Sequence, residues 1–330
     1  MHGRFFAAAV SILAMSLLTP AHATGQQLQK WTAPRTPDGK PDLQGTFSFA
    51  TITPLQRPEE LAGKATLTRE EAATFEENEN RRLNRDLSEP KTVAPRPGSG
   101  YQGGIVSFND FWFERGDALT DDRRTSLIVD PPDGRIPFNE AAQARMAERT
   151  RRSGAGLADS YTDRSIGDRC IMGFNSGPPM TPSAYNNNLQ ILQTPGYVVI
   201  LNEMIHNARI IPTDGRPHGT VPLWAGDSRG RWEGDTLVVD TINFKRETSL
   251  MGSSASMHLV ERFTRVDPIT VRYEFTVTDP ASYSRPWTVV LPLQEADGLL
   301  YEYACHEGNY ALRGILEGAR ARERAAAAKP

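Results

Sequence analysis

From Tyr197 onward, apolar residues recur at every second position, and this period of two predicts strands. The runs are Tyr197–Glu203, Ala208–Pro212, Thr236–Thr241, His258–Val266, Thr270–Thr278, Trp287–Leu293 and Leu299–Cys305. The clearest sets Val271, Tyr273, Phe275 and Val277 against Arg272, Glu274, Thr276 and Thr278, the pattern of a half-buried antiparallel strand. Asp214-Gly215, Asp267-Pro268, Asp279-Pro280 and Asp297-Gly298 supply turns between runs. Evenly spaced strands with short turns predict a mainly β fold, an antiparallel meander over 197–305 that closes as a barrel or sandwich.

The preceding stretch reads differently. Residues 24–196 are rich in proline and turns and read as an N-terminal wrap carrying two helices. The first, about 68–86, opens on Thr68 with Glu71 three positions on, the spacing of a capping box, with Leu67 placed as a staple. The second, about 140–152, has Asn139 as its cap, basic residues in its last turn and Gly154 beyond. Residues 88–104 read as a loop. Ser126–Asp130 reads as a short strand stopped by Pro131-Pro132-Asp133-Gly134, and 306–330 as a C-terminal helix or tail. No internal repeat is present, and 24–330 reads as a single β-rich domain.

The first residues change the picture most. A basic Met1–Arg4, a short apolar run from Phe5 to Leu18, and Ala21-His22-Ala23 make residues 1–23 a signal peptide. That run is too short to span a bilayer, so the mature chain is expected to be periplasmic or secreted, with no integral membrane segment. About 307 residues remain, enough for a substantial core. With 37 basic and 40 acidic residues, the net charge of −3 gives no footprint for nucleic acid. In an oxidising compartment the two cysteines, Cys170 and Cys305, form one disulfide. The loop closed is on the order of 136 residues, for which chain entropy allows about 5 kcal/mol. Cys305-His306 is a poor catalytic pair, because adjacent residues on a strand face opposite ways.

The candidate chemistry is sparse. Gly226-Asp227-Ser228-Arg229-Gly230 matches G-x-S-x-G, but the following segment leads into a strand rather than a helix, so the match reads as a polar turn. His206, His218, His258 and His306 show no metal-ligand spacing, and their convergence in space is left open by spacing alone. No phosphate loop or dinucleotide fingerprint is present, so no cofactor and no metal are expected.

Polar residues on apolar strand faces carry more information. Glu261 shares a face with Leu259 and Phe263, while His206 shares one with Met204, Ala208 and Ile210. Apolar surroundings disfavour a carboxylate's charge and raise its pKa toward values useful for proton transfer, and a histidine shuttles protons near neutral pH. The structural alternative pairs Glu261 with a cross-strand arginine such as Arg272 and leaves His206 a satisfied core histidine. Tyr301 and Tyr303 share one face of the last strand. Asn186 and Asn188 lie in a proline-rich stretch that the disulfide ties to it. Phe111-Trp112-Phe113 reads as a lid packed on the core.

Several runs resemble a family of uncharacterised exported bacterial proteins: Arg124–Arg135, Gly230–Asp240, Val260–Asp267, Pro286–Thr288 and Tyr301–Tyr310. The resemblance covers most of the mature chain and assigns no reaction and no catalytic residue. More loosely, the Trp232-x-Gly-Asp-Thr-Leu237 strand followed by a meander resembles lipocalin-like barrels, which implies a cavity for a hydrophobic small molecule.

Three functions follow as expectations. The first is an exported enzyme (isomerase, lyase or hydrolase) acting on a lipophilic or aromatic small molecule without a cofactor. Glu261 is its base and His206 the partner acid, with His258, Arg262, Tyr303, Asn186 and Asn188 binding substrate. The second is a non-catalytic periplasmic carrier of a hydrophobic ligand. The third is a structural envelope-interaction protein with no cavity.

Overall fold

Alternating residues bury one face and wet the other, and here that alternation builds a single sheet. The computed structural model describes residues 31–87, 92–93, 104–105, 109–154, 158–248 and 250–328. The signal peptide expected at 1–23 and most of the 88–104 loop lie outside them. In chain order the strands are β1 (Gly45–Ser48), β2 (Thr92–Val93), β3 (Gly104–Ile105), β4 (Ile128–Asp130), β5 (Asn188–Thr194) and β6 (Tyr197–Asn202). Then come β7 (Ala208–Pro212), β8 (Asp227–Glu233), β9 (Thr236–Ile242), β10 (His258–Arg265), β11 (Thr270–Thr278) and β12 (Trp287–Glu295). The helices are α1 (Arg69–Leu83), α2 (Glu140–Gly154) and α3 (Tyr310–Ala327).

Both expected helices start where their caps place them. Thr68 and Glu71 complete the capping box of α1, and the Asn139 side chain accepts the Ala142 N–H at 2.9 Å. The 306–330 segment is helical as α3.

Ten strands share one antiparallel sheet in the order β7-β6-β5-β1-β12-β11-β10-β9-β8, with β4 pairing β12 at the side. The two edges, β7 and β8, come together without a hydrogen-bond ladder, so the sheet is nearly closed into a barrel. Gly230 permits this approach: a Cβ there would stand 2.9 Å from Thr213 and 3.0 Å from Ile211. Gly226 bends the chain at φ +67°, where a Cβ would meet Thr241 at 2.7 Å. The G-x-S-x-G segment is therefore the start of β8 and not a polar turn. Its Ser228 is buried and shares a 3.0 Å hydrogen bond with the Thr241 hydroxyl.

Two further expectations are corrected. The 24–196 wrap contributes β1 and β5 to the middle of the sheet, and β1 bridges β5 and β12. Leu299–Cys305 is not a strand. Its predecessor β12 already has β1 and β11 on its two sides, so no free edge lies beside it to accept another ladder.

The interior is packed. Trp287, Phe47, Phe263, Phe275 and Leu259 are fully enclosed in one cluster. Each such large side chain contributes about 1.5–3 kcal/mol by leaving water. Val271, Tyr273, Phe275 and Val277 all point inward, as their alternation predicts. Glu261 also points inward, at 0% exposure. Its partner is Arg209 of β7, not Arg272, which pairs with Glu274 on the outer face. Both Glu261 carboxylate oxygens are engaged: Oε2 by Arg209 Nη1, and Oε1 by Arg209 Nη2 at 3.0 Å and by the Tyr273 hydroxyl at 2.7 Å. Burial works against the charge on Arg209, but attraction to Glu261 outweighs it and raises the guanidinium pKa.

A buried ion pair contributes little over an apolar isostere, yet losing one partner strands a charge. Arg209→Met is expected to lower the unfolding free energy by about 3–5 kcal/mol, and adding Glu261→Gln is expected to restore part of it. Urea titrations of the single and double variants check this; an additive double variant would contradict it.

Candidate functional site

Glu261 is fully enclosed in the barrel interior, and the expected catalytic partner is elsewhere. After β6 the chain turns tightly, with Ile205 at φ +58° and His206 at φ +38°. The Asn202 N–H donates to the Asn207 carbonyl across this turn at 3.0 Å. The turn resets the alternation, so Arg209 faces inward while His206, Ala208 and Ile210 face solvent. The inward placement expected for His206 is thus corrected, and Glu261 and His206 are not brought together.

His258 and Arg262 lie on the outer wall of the sheet. The His258 ring nitrogen Nε2 is 2.6 Å from Asp240, and Arg262 donates to Glu233 at 3.0 Å. Asp240 also holds His218 Nε2 at 2.9 Å, which pins the chain between β7 and β8 to the sheet. Partial burial opposes the Asp240 charge, but hydrogen bonds and attraction from the two histidines outweigh it and hold its pKa below the ordinary carboxylate value.

The remaining expected residues do converge, at the barrel rim. Tyr303, Asn186 and Asn188 line a groove of about 1080 Å³, together with the 111–114 segment, the start of β1, and residues 296–303. The three neighbouring asparagines have separate tasks. Asn186 takes a left-handed turn at φ +53°, which asparagine tolerates. Asn187 is fully buried, and its amide nitrogen donates to the Glu114 and Ser183 carbonyls at 2.8 Å each. Asn188, opening β5, turns its amide nitrogen toward two carboxylates, Glu203 at 2.8 Å and Glu114 at 2.9 Å.

Glu203 is only 4% exposed and accepts a second hydrogen bond from the Tyr301 N–H at 3.1 Å. This bond helps place a segment that has no sheet partner. Cys305, bonded to Cys170, anchors its far end. Asp297 adds a third carboxylate, and no lysine, arginine or histidine is among the groove's lining residues.

Above the carboxylates stand aromatic rings. Phe111 and Trp112 meet edge to face at 5.0 Å, and Tyr185 stacks on Tyr303 at 6.4 Å. Burial, then the neighbouring Tyr303, raises the Tyr185 pKa. Phe111 is 83% exposed, Trp112 65% and Tyr301 78%. The Phe111-Trp112-Phe113 run is therefore not a lid packed on the core. Phe113 is backed by the Arg85 and Arg115 guanidiniums, 5.5 and 5.3 Å from its ring centre.

No protein family, curated protein or solved structure matches this chain.

The groove's meaning therefore rests on its own chemistry. Glu114 lies outside every periodic run, and Glu203 only closes the Tyr197–Glu203 run, so the sequence singles out neither. The exposed Phe-Trp-Phe run in polar surroundings was the available signal.

Two predictions follow from this geometry. A Cys170→Ser/Cys305→Ser variant is expected to lose up to about 5 kcal/mol of stability. Limited proteolysis is expected to cut it faster at Tyr301 and Tyr303 than the oxidised protein; equal cleavage would show that the bridge does not hold the rim. For Asp240, a lowered folded-state pKa supplies stability above the ordinary value near about 4, and this is lost as pH falls through the folded value. The stability gap between wild type and Asp240→Asn is thus expected to shrink in urea titrations as pH falls below about 4.

Proposed function

We propose that this chain is an exported binding protein that holds a lipophilic or aromatic small molecule in the rim groove. Of the three expected functions, this is the carrier, with its site moved from the barrel interior to the rim. The observation that carries it is the joining of exposed aromatic rings to a carboxylate pair sharing one asparagine amide. Large exposed apolar side chains gathered in one concavity cost solvation unless a ligand covers them, and such patches mark interaction sites. The ligand's apolar body stacks on Trp112 and the tyrosines. Its polar end donates hydrogen bonds to Glu203 and Glu114. A charged amine satisfies those carboxylates best, since hydrogen bonds between ionised partners are about twice as strong as neutral ones. The leader pattern and the Cys170–Cys305 disulfide support export to an oxidising compartment.

A second reading, acid–base catalysis in the same groove, draws on one observation: two carboxylates stand within reach of a single amide. Glu203, enclosed and aimed at the groove, is the residue that transfers a proton in that case.

Titrating tryptophan fluorescence with 2-(aminomethyl)naphthalene and with neutral 2-methylnaphthalene tests the proposal. Saturable binding is expected for both, tighter for the amine. Trp112→Ala is expected to weaken both about tenfold, roughly 1.4 kcal/mol. Glu114→Gln is expected to weaken the amine alone. No saturation with either probe, or no response to Trp112→Ala, would overturn the proposal. Conversion of the bound probe, abolished in Glu203→Gln, would favour the catalytic reading.

A further inference from the structure

A second cavity, of about 730 Å³, shares no lining residue with the groove and has the opposite charge character. One wall is a face of α2, on which Arg145, Arg149 and Arg152 recur at helical spacing. The 162–169 segment faces it with Arg164 and Arg169, and the chain after β9 adds Arg246 and the serine-rich run Gly252–Ser256. Six arginines therefore meet four acids: Glu148, Asp163, Asp168 and Glu247.

Most of those acids are already taken. Asp163 pairs with Arg152 at 2.6 Å, Asp168 with Arg164 at 3.3 Å, and Glu148 with Arg151 at 2.7 Å. Arg145 is fixed by neutral acceptors, the carbonyls of Gly252 and Ala281 and the Ser282 hydroxyl. Asp279 stands behind Ser282 and compensates it in part. Arg149 and Arg246 are exposed and have no hydrogen bond or ion pair among the described residues.

Arg169 is the most constrained. Its guanidinium carbon lies 5.0 Å from the ring centre of Tyr161 and 5.6 Å from that of Trp224, and no carboxylate pairs with it among the described residues. Lys245 adds a second cation on Trp224 at 4.6 Å. Contact with two aromatic rings restrains a guanidinium without using its N–H groups.

We propose that this cavity binds a small oxyanion-bearing molecule (a phosphate, a sulfonate or a carboxylate) through Arg169, Arg149 and Arg246. Arginine's planar fork accepts such groups bidentately, and prior fixation of Arg169 reduces the ordering cost of binding. Unpaired like charges around one hollow repel, and an anion relieves that repulsion. The volume lies within the range of about 300–1000 Å³ typical of small-molecule sites. The proposal is independent of the aromatic groove.

Calorimetric titration of the full mature chain with pyrophosphate and with phenyl phosphate tests it. One saturable site is expected. A stronger response to phenyl phosphate identifies an organic anion as the ligand, and a stronger response to pyrophosphate a free inorganic one. Arg169→Gln is expected to weaken binding about tenfold. The double variant Arg149→Gln/Arg246→Gln, which removes exposed side chains without partners and so spares the fold, is expected to do the same. Arg262→Gln, on the outer sheet wall, is expected to leave affinity unchanged. No saturation in the wild type, unchanged affinity in both cavity variants, or an equal loss in Arg262→Gln would overturn the proposal.

Discussion

The buried contact among Glu261, Arg209 and Tyr273 governs the rest of this structure. An unpaired carboxylate in that interior costs several kcal/mol, so the chain must deliver a partner to it. Arg209 comes from β7, one edge of the sheet, and Glu261 from β10, near the other edge. The ion pair therefore spans the interior and joins strands that no ladder links, where β7 meets β8 without backbone pairing. Tyr273 extends the network: its hydroxyl donates to Glu261 and accepts the Met180 N–H at 3.1 Å. That bond ties the 175–188 stretch to the core, and this stretch carries Asn187 and Asn188 into place. The position of the groove thus traces back to the need to neutralise one carboxylate.

The same contact sits among closely packed rings. Phe263 stacks on Tyr273 at 4.8 Å, Phe275 lies tilted against it at 5.6 Å, and Trp287 meets Phe275 edge to face at 5.9 Å. Aromatic groups pack around the ion pair and fill the space beside it, and the Trp287 Nε1–H is buried there with no partner among the described residues. The groove at the rim is lined in part by chain segments that lack sheet partners.

Legibility in the sequence followed the same division. The meander, both helix starts and the inward face of β11 were readable because each is set by local periodicity or a cap. The inward facing of Glu261 was readable too, but its partner was not, since Arg209 lies 52 positions away and across the barrel. His206 failed because the assignment continued one alternation through a turn whose left-handed residues, Ile205 and His206, carry no glycine or proline signal. β1 is four residues long and is completed by distant strands, which hides it in the sequence, whereas β5 pairs with β6 across a Pro195-Gly196 hairpin whose turn signal the sequence does carry. Leu299–Cys305 has the right alternation and no edge to join, and alternation alone does not supply one.

Composition misled in a subtler way. A net charge of −3 from 37 basic and 40 acidic residues describes an average, while the folded chain sorts its charges. The rim groove gathers Glu114, Glu203 and Asp297 with no basic residue in its lining, and the α2 cavity gathers six arginines. The groove's acids come from segments far apart in sequence, whereas five of the cavity's six arginines lie between 145 and 169 and are interspersed with acids. Each set sits on elements positioned by side-chain hydrogen bonds, ring stacking or the disulfide rather than by backbone ladders. Such elements keep their polar groups accessible because no sheet partner consumes them. Near-neutral composition sets only the average charge of the surface. It leaves room for two small, oppositely charged sites on one surface.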